Sequence, residues 1–142
     1  MPGQAPHVVE RHDLDTAFID DRLYEFNCQA TGYRDGKDFG LVIEEAGEIV
    51  AAAAGNTWGG TGELKQCWVR ADRRRCGLGS ALLERAVELA RRRGCKVMYL
   101  ATHSFQAPDF YARHGFETVA TIPDKPLGHS DHIMRRNLGD ER

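Results

Sequence analysis

The stretch DRRRCGLGSALL, Asp72 to Leu83, sets three arginines and two glycines where a strand gives way to a helix. The first turn of a helix points unpaired backbone N–H groups outward, and its dipole favours a negative guest. Gly77 and Gly79 remove side chains where an anion would approach that backbone. Arg73, Arg74 and Arg75 add guanidinium groups suited to forked hydrogen bonds with phosphate oxygens. The stretch therefore reads as an anion cradle, best matched to a pyrophosphate. An ordinary turn with a solvated arginine surface uses the same residues, so the flanking elements must decide. It is not a Walker loop, since no GK[ST] follows, and Leu82 takes the third glycine's place of a dinucleotide fingerprint.

Other candidate chemistry is sparser. Tyr111 offers a phenol beside Phe110, a pairing that serves equally well as core packing. Glu63, His103 and His129 are the candidate bases. The six histidines show no HxxxH or HExxH spacing and the four cysteines (Cys28, Cys67, Cys76, Cys95) no CxxC pair. Neither a metal site nor a disulfide framework is expected, and reduced thiols in a cytoplasm fit this usage.

The elements that must position these residues follow from pattern. At 142 residues, with 42% hydrophobic and 28% charged side chains, the chain is expected to fold as one domain over 1–142, with flexible ends at about 1–6 and 139–142. His7 to Glu10 reads as an edge strand. A helix is expected from Asp13 or Asp15 to about Gln29, its apolar stripe being Leu14, Phe18, Leu23, Phe26 and Ala30. FGLVIEEAGEIVAAAAGNTWG reads as a hairpin, because Gly47 and Gly55 bracket the alanines too closely for a helix. Gly59 to Gly62 makes a turn before the strand ELKQCWVRA.

A helix over about Leu78 to Arg93 then buries Leu82, Leu83, Ala86, Leu89 and Ala90, with Gly94 as its C-cap. KVMYLAT is a buried strand, Pro108 to His114 a short helix, and FETVATI and DHIMRRNL are two final strands. The order is α/β (α+β): a mixed, mostly antiparallel sheet of six to seven strands flanked by helices. The net charge of −2 gives no general attraction to nucleic acid or lipid. No apolar run spans a bilayer and the N-terminus lacks a secretory pattern, which points to the cytoplasm.

Together, a strand ending in Val69, the run Arg74-x-x-Gly77-x-Gly79, an amphipathic helix and a buried strand resemble the acetyl-coenzyme A motif of the GNAT superfamily of N-acetyltransferases. SFQAPDFYARHGFE resembles that superfamily's second motif through Ala107, Phe110, Tyr111, Gly115 and Phe116. The resemblance runs from Asp13 to Leu138 and is similar to small bacterial members. It departs at Arg75, where many members have glycine, and at Ser104, near the place of an asparagine that touches the cofactor.

The resemblance implies acetyl-CoA as cosubstrate and a splay between the central strands. Gln66, Cys67, Trp68 and Val69 would pair with the pantetheine arm. Arg74, Arg75, Cys76, Gly77, Leu78, Gly79 and Ser80 would hold the pyrophosphate, with Ser104, Ala107 and Phe110 along the cofactor's path. Tyr111 would be the general acid and Glu63 the best carboxylate for a base. An unpaired backbone N–H at Trp68 or Val69 would serve the oxyanion. Trp58, Tyr24, Phe26 and Tyr33 would border the acceptor.

The expected function is acetyl transfer to a primary amine of a small molecule by direct attack in a ternary complex. A protein or peptide acceptor and a non-catalytic acyl-CoA sensor are the alternatives. A homodimer is left open, and no nucleic-acid or membrane partner is expected.

Overall fold

In the computed structural model, which describes Gly3 and residues 5–139, the chain divides into two compact units, one up to Tyr33 and one from Arg34 onward. The expected flexible ends include residues outside that range.

The first unit holds α1 (Ala17–Thr31). Asp15 Oδ1 accepts the Ala17 N–H at 3.0 Å, satisfying one orphan donor of the first turn. Gly32, at φ 82°, ends the helix by donating to the Cys28 carbonyl at 2.8 Å. The expected apolar stripe is not one face: Leu14, Phe18, Leu23 and Phe26 are all exposed. The five-residue step from Phe18 to Leu23 turns about 140° round the helix axis and splits the set into two sides. His7 to Glu10 is not a strand, since Val8 and Val9 stand exposed with no paired neighbour among the described residues.

The second unit is a six-stranded sheet in the order β1-β2-β3-β4-β6-β5. β1 (Lys37–Glu45) and β2 (Glu48–Trp58) form the hairpin through Ala46 and Gly47, both at positive φ. β3 (Thr61–Val69) follows a tighter turn than expected, Gly59–Gly60, with Thr61 and Gly62 already in the strand. α2 (Leu78–Arg92) crosses over to β4 (Val97–His103), which is parallel to β3. α3 (Pro108–Arg113) precedes β5 (Glu117–Pro123) and β6 (Ser130–Asn137). Every pairing except β3–β4 is antiparallel. That one parallel pair needs the long crossover that α2 supplies.

The core lies between the sheet and α2. Leu82, Leu83, Ala86, Val87 and Ala90 are buried against Ala51, Ala53, Leu64, Met98 and Leu100. The alanines of β2 thus give the helix its close approach, while Leu89 packs only partly buried at the margin. Gly55 is required at the β2–β3 irregularity, because a Cβ there would sit 2.0 Å from the Glu63 carbonyl oxygen. Arg93, at the end of α2, donates to the Lys37 and Asp38 carbonyls and to the Thr57 hydroxyl, fastening the helix to the hairpin.

Candidate active site

The strand pairing opens the site. β3 and β4 are in register only from Thr61/Val97 to Leu64/Leu100. At that point Lys65 is skipped in the pairing of β3 with β2, and β3 keeps to β2 while β4 continues with β6. A cavity of about 1100 Å³ occupies the divergence, bounded by β3 from Leu64 to Val69, the mouth of α2, and Phe110 and Tyr111.

The register also decides which backbone groups face it. Arg70 N–H donates to the Val50 carbonyl at 2.8 Å. Antiparallel pairs alternate, so Trp68 exchanges both its bonds with Ala52, and Cys67 and Val69 turn theirs the other way. That way is the gap left by β4. Of the two residues expected as oxyanion donors, Val69 turns its N–H toward the gap and Trp68 turns its N–H away, and Cys67 turns its N–H toward the gap as well. The Val69 carbonyl on the same side already accepts Arg74 Nε at 3.2 Å.

The mouth of α2 closes the other end. The first bond within this helix runs from Ala81 N–H to the Gly77 carbonyl at 3.0 Å, so the N–H groups of Leu78, Gly79 and Ser80 lie before the ladder begins. Gly77 sits at φ 83° and has no side chain to cap them. A Cβ on Gly79 would lie 3.4 Å from the Phe110 ring and 3.7 Å from Val69, filling the narrow floor between helix and strand. These amides, with Arg74 and Arg75 at the rim, fit a pyrophosphate. Arg73 lines the cavity but spends its charge elsewhere: its guanidinium meets both Glu45 oxygens at 2.7 Å. That pair holds the Glu45 carboxyl below its ordinary range.

Arg75 adopts φ 64°, the left-handed region that glycine enters freely. A side chain there costs about 1 kcal/mol. Arg75→Gly should therefore leave stability unchanged or raise it by up to about 1 kcal/mol, since glycine's own entropy partly offsets the relief. Coenzyme A affinity should fall about threefold through the lost charge. A thermal melt and a titration check both, and a lower Tm would contradict the strain.

Tyr111 is 8% exposed, held on α3 between the rings of Phe110 and Phe116 at 5.1 and 6.1 Å. Its hydroxyl stands beside the Cys67 sulfur at the cavity wall. Burial pushes the phenol well above its ordinary value, and the Cys67 sulfur adds to the rise. Burial also raises the Cys67 thiol. Tyr111 thus keeps its proton throughout the physiological range, as a proton donor must.

The profile of the Acetyltransferase (GNAT) family matches residues 6–116. The chain belongs to this family. It is 38% identical over 95 residues to the blasticidin-S acetyltransferase of Streptomyces morookaense, covering 66% of this chain and 70% of that one. An acetyltransferase of Agrobacterium fabrum is 28% identical over 113 residues, 79% of this chain and 82% of its own. The crystal structure of an acetyltransferase from Bacillus cereus superposes with a TM-score of 0.83 at 26% identity, covering 94% of this chain and 98% of that one. The mixed, mostly antiparallel six-stranded sheet is the fold this chain shares with that crystal structure.

Gln66, Cys67, Trp68, Val69, Arg74, Arg75, Gly77, Leu78, Gly79, Ser80, Ala107, Phe110 and Tyr111 all line the acetyltransferase's cavity. Three expected residues are placed outside that lining. Cys76 turns its sulfur to Arg73 and the Arg74 carbonyl. The Ser104 hydroxyl accepts the Ser130 N–H at 3.0 Å and so braces the end of β6. Glu63 lies on the sheet face opposite the buried Leu64, beside Tyr99, its register partner.

His103 directs Nδ1 to the Lys125 carbonyl at 3.1 Å and stacks on Phe105, while His129 meets the edge of the same ring. Trp58 is partly buried, and Tyr24, Phe26 and Tyr33 are exposed. Sequence reasoning missed His114 and Glu84, which the structure joins to Ser80. The available signal was the i, i+4 spacing of Ser80 and Glu84, which puts both on one side of α2. Among the described residues no cluster of three or more His, Cys, Asp and Glu could hold a metal ion. No described helix is long and apolar enough to cross a membrane, and all four cysteines are free.

Proposed function

We propose that this acetyltransferase carries acetyl from acetyl-CoA to a primary amine of a small molecule, by direct attack within a ternary complex. One observation carries the reading. A single cavity joins unpaired amides at a helix mouth, an open strand edge and a buried phenol. Those three features answer the needs of a pyrophosphate, a pantetheine arm and a departing thiolate. The coenzyme supplies the activated acetyl group as a thioester.

The chain's own residues then divide the work. Leu78, Gly79 and Ser80 would hold the diphosphate by their N–H groups, with Arg74 and Arg75 adding charge. Cys67 and Val69 offer strand hydrogen bonds to the pantetheine amides, and the Val69 N–H is placed for the developing oxyanion. Holding the amine against the carbonyl carbon supplies several kcal/mol, about 7 or more when alignment is good. Tyr111 donates the proton that lets the thiolate leave. A family profile running from 6 to 116 supports one acetyltransferase domain over both compact units. The small-molecule acceptor is supported by the relative named for blasticidin-S.

Glu63 is our candidate for the base that takes the amine's proton, directly or through water. Glu63→Gln should lower kcat/KM by about 10²-fold. An unchanged kcat/KM would assign that proton to solvent.

The reading as a whole is tested by release of free coenzyme A thiol with panels of small amines, nucleoside and aminoglycoside antibiotics, and peptides. Turnover confined to small amines is the expected result. Turnover only with peptides would move the acceptor to protein. Coenzyme binding without turnover on any acceptor would favour a sensor.

A further inference from the structure

Beside the cradle stands a three-residue relay. Ser80, in the first turn of α2, lines the cavity, and its Oγ lies 3.0 Å from His114 Nε2. His114 Nδ1 lies 2.9 Å from Glu84 Oε1, one turn along α2. The imidazole caps the C-terminus of α3 and is largely enclosed, with the Phe110 ring 4.9 Å away. The charged groups around it come from three elements. Glu84 belongs to α2, Arg136 of β6 reaches the same Glu84 oxygen at 3.7 Å, and Arg113 of α3 lines the adjoining cavity wall.

The donor and acceptor roles are forced. A carboxylate only accepts, so Nδ1 must carry a hydrogen and donate to Glu84. In the neutral ring Nε2 then has only a lone pair. Ser80 must donate its single hydroxyl proton to it, leaving oxygen lone pairs toward the cavity. Protonation of the ring makes Nε2 a donor. The Ser80 hydroxyl then accepts from His114 and its own proton is released toward the cavity.

Resting on the assignment of the α2 mouth to the diphosphate, we propose that His114 is a positioning residue that sets the direction of the Ser80 hydroxyl. In that role coenzyme binding draws a proton onto His114. An anion is poorly met by a hydroxyl showing lone pairs and well met by one donating a hydrogen bond. Affinity therefore rises as His114 protonates and falls as the ring becomes neutral at higher pH.

The test is calorimetry of coenzyme A on the full chain, in buffers of different ionisation enthalpy, from about pH 5.5 to about pH 8.5. The parent should take up more protons than His114→Gln, and its affinity should fall by about tenfold more across the range. His114→Gln keeps a hydrogen-bonding partner for Ser80 without the titration. The ligand's own phosphate titrates in both and cancels in the difference.

Ser80→Ala should weaken binding at low pH and lose most of the pH dependence that separates parent from His114→Gln. Equal proton uptake and parallel affinity curves in parent and His114→Gln would overturn the relay. Full pH dependence in Ser80→Ala would also overturn it, since charge alone would then suffice. Absence of coenzyme binding by every protein at every pH would instead remove the diphosphate assignment itself.

Discussion

Replacing Gly77 by aspartate should weaken coenzyme A binding by at least about 100-fold while the protein stays folded. Gly77 is the residue before the first turn of α2, at φ 83°, and no atom lies within 4 Å of where its Cβ would stand. No neighbouring atom opposes the side chain, but φ 83° strains any side chain placed there, by about 1 kcal/mol. Aspartate enters the left-handed region more readily than most residues, which limits that strain. A carboxylate beside a helix N-terminus is favourable to that helix. The same charge would occupy the place proposed for the diphosphate and repel it.

The expected signature is an unchanged or slightly lowered Tm with binding lost in calorimetry. Gly77→Asn, similar in shape without the charge, should retain part of the affinity. Full affinity in Gly77→Asp would mean that the diphosphate does not bind at the mouth of α2.

Tyr111→Phe should reduce kcat by about 10²- to 10³-fold and leave the coenzyme Kd within about twofold. Phenylalanine keeps the edge contacts with Phe110 and Phe116, so the packing of α3 survives. What disappears is the hydroxyl at the Cys67 sulfur, on the wall of the cavity. In the parent, burial raises this phenol above its ordinary value of 10.0, so its protonated form persists as pH rises. The rate should show no alkaline fall from this group below that value. A Tyr111→Phe protein of equal turnover would hand the proton to water. One that fails to bind coenzyme would make Tyr111 a packing residue of the cavity.

The mouth of α2 was legible because its parts are local. A helix mouth needs only consecutive residues, and the arginines, Gly77 and Gly79 all fall between Arg73 and Gly79. The hairpin and the long α2 were legible for the same reason, through alternation and helical spacing. α1 was placed correctly, but its expected stripe was not one face. Approximate spacing tolerates a five-residue step that a real helix does not.

Glu63 shows the limit more sharply. Its position at the head of β3 was plain, yet only the pairing of β3 with β4 sets it beside Tyr99. Ser104 was read from its place near a motif, and the fold gives its hydroxyl to Ser130 instead.

By itself the sequence determined the order of elements, the family, and the residues that can form an anion site. It did so because helix caps, turns and periodicity depend on neighbours within a few positions. The tertiary structure alone decided that β3 parts from β4 after Leu64 and that Val69 rather than Trp68 turns its N–H into the opening. It alone brought Tyr111 to Cys67 and His114 to Ser80. Those facts depend on strand register and on contacts between residues more than thirty positions apart, which no local pattern encodes.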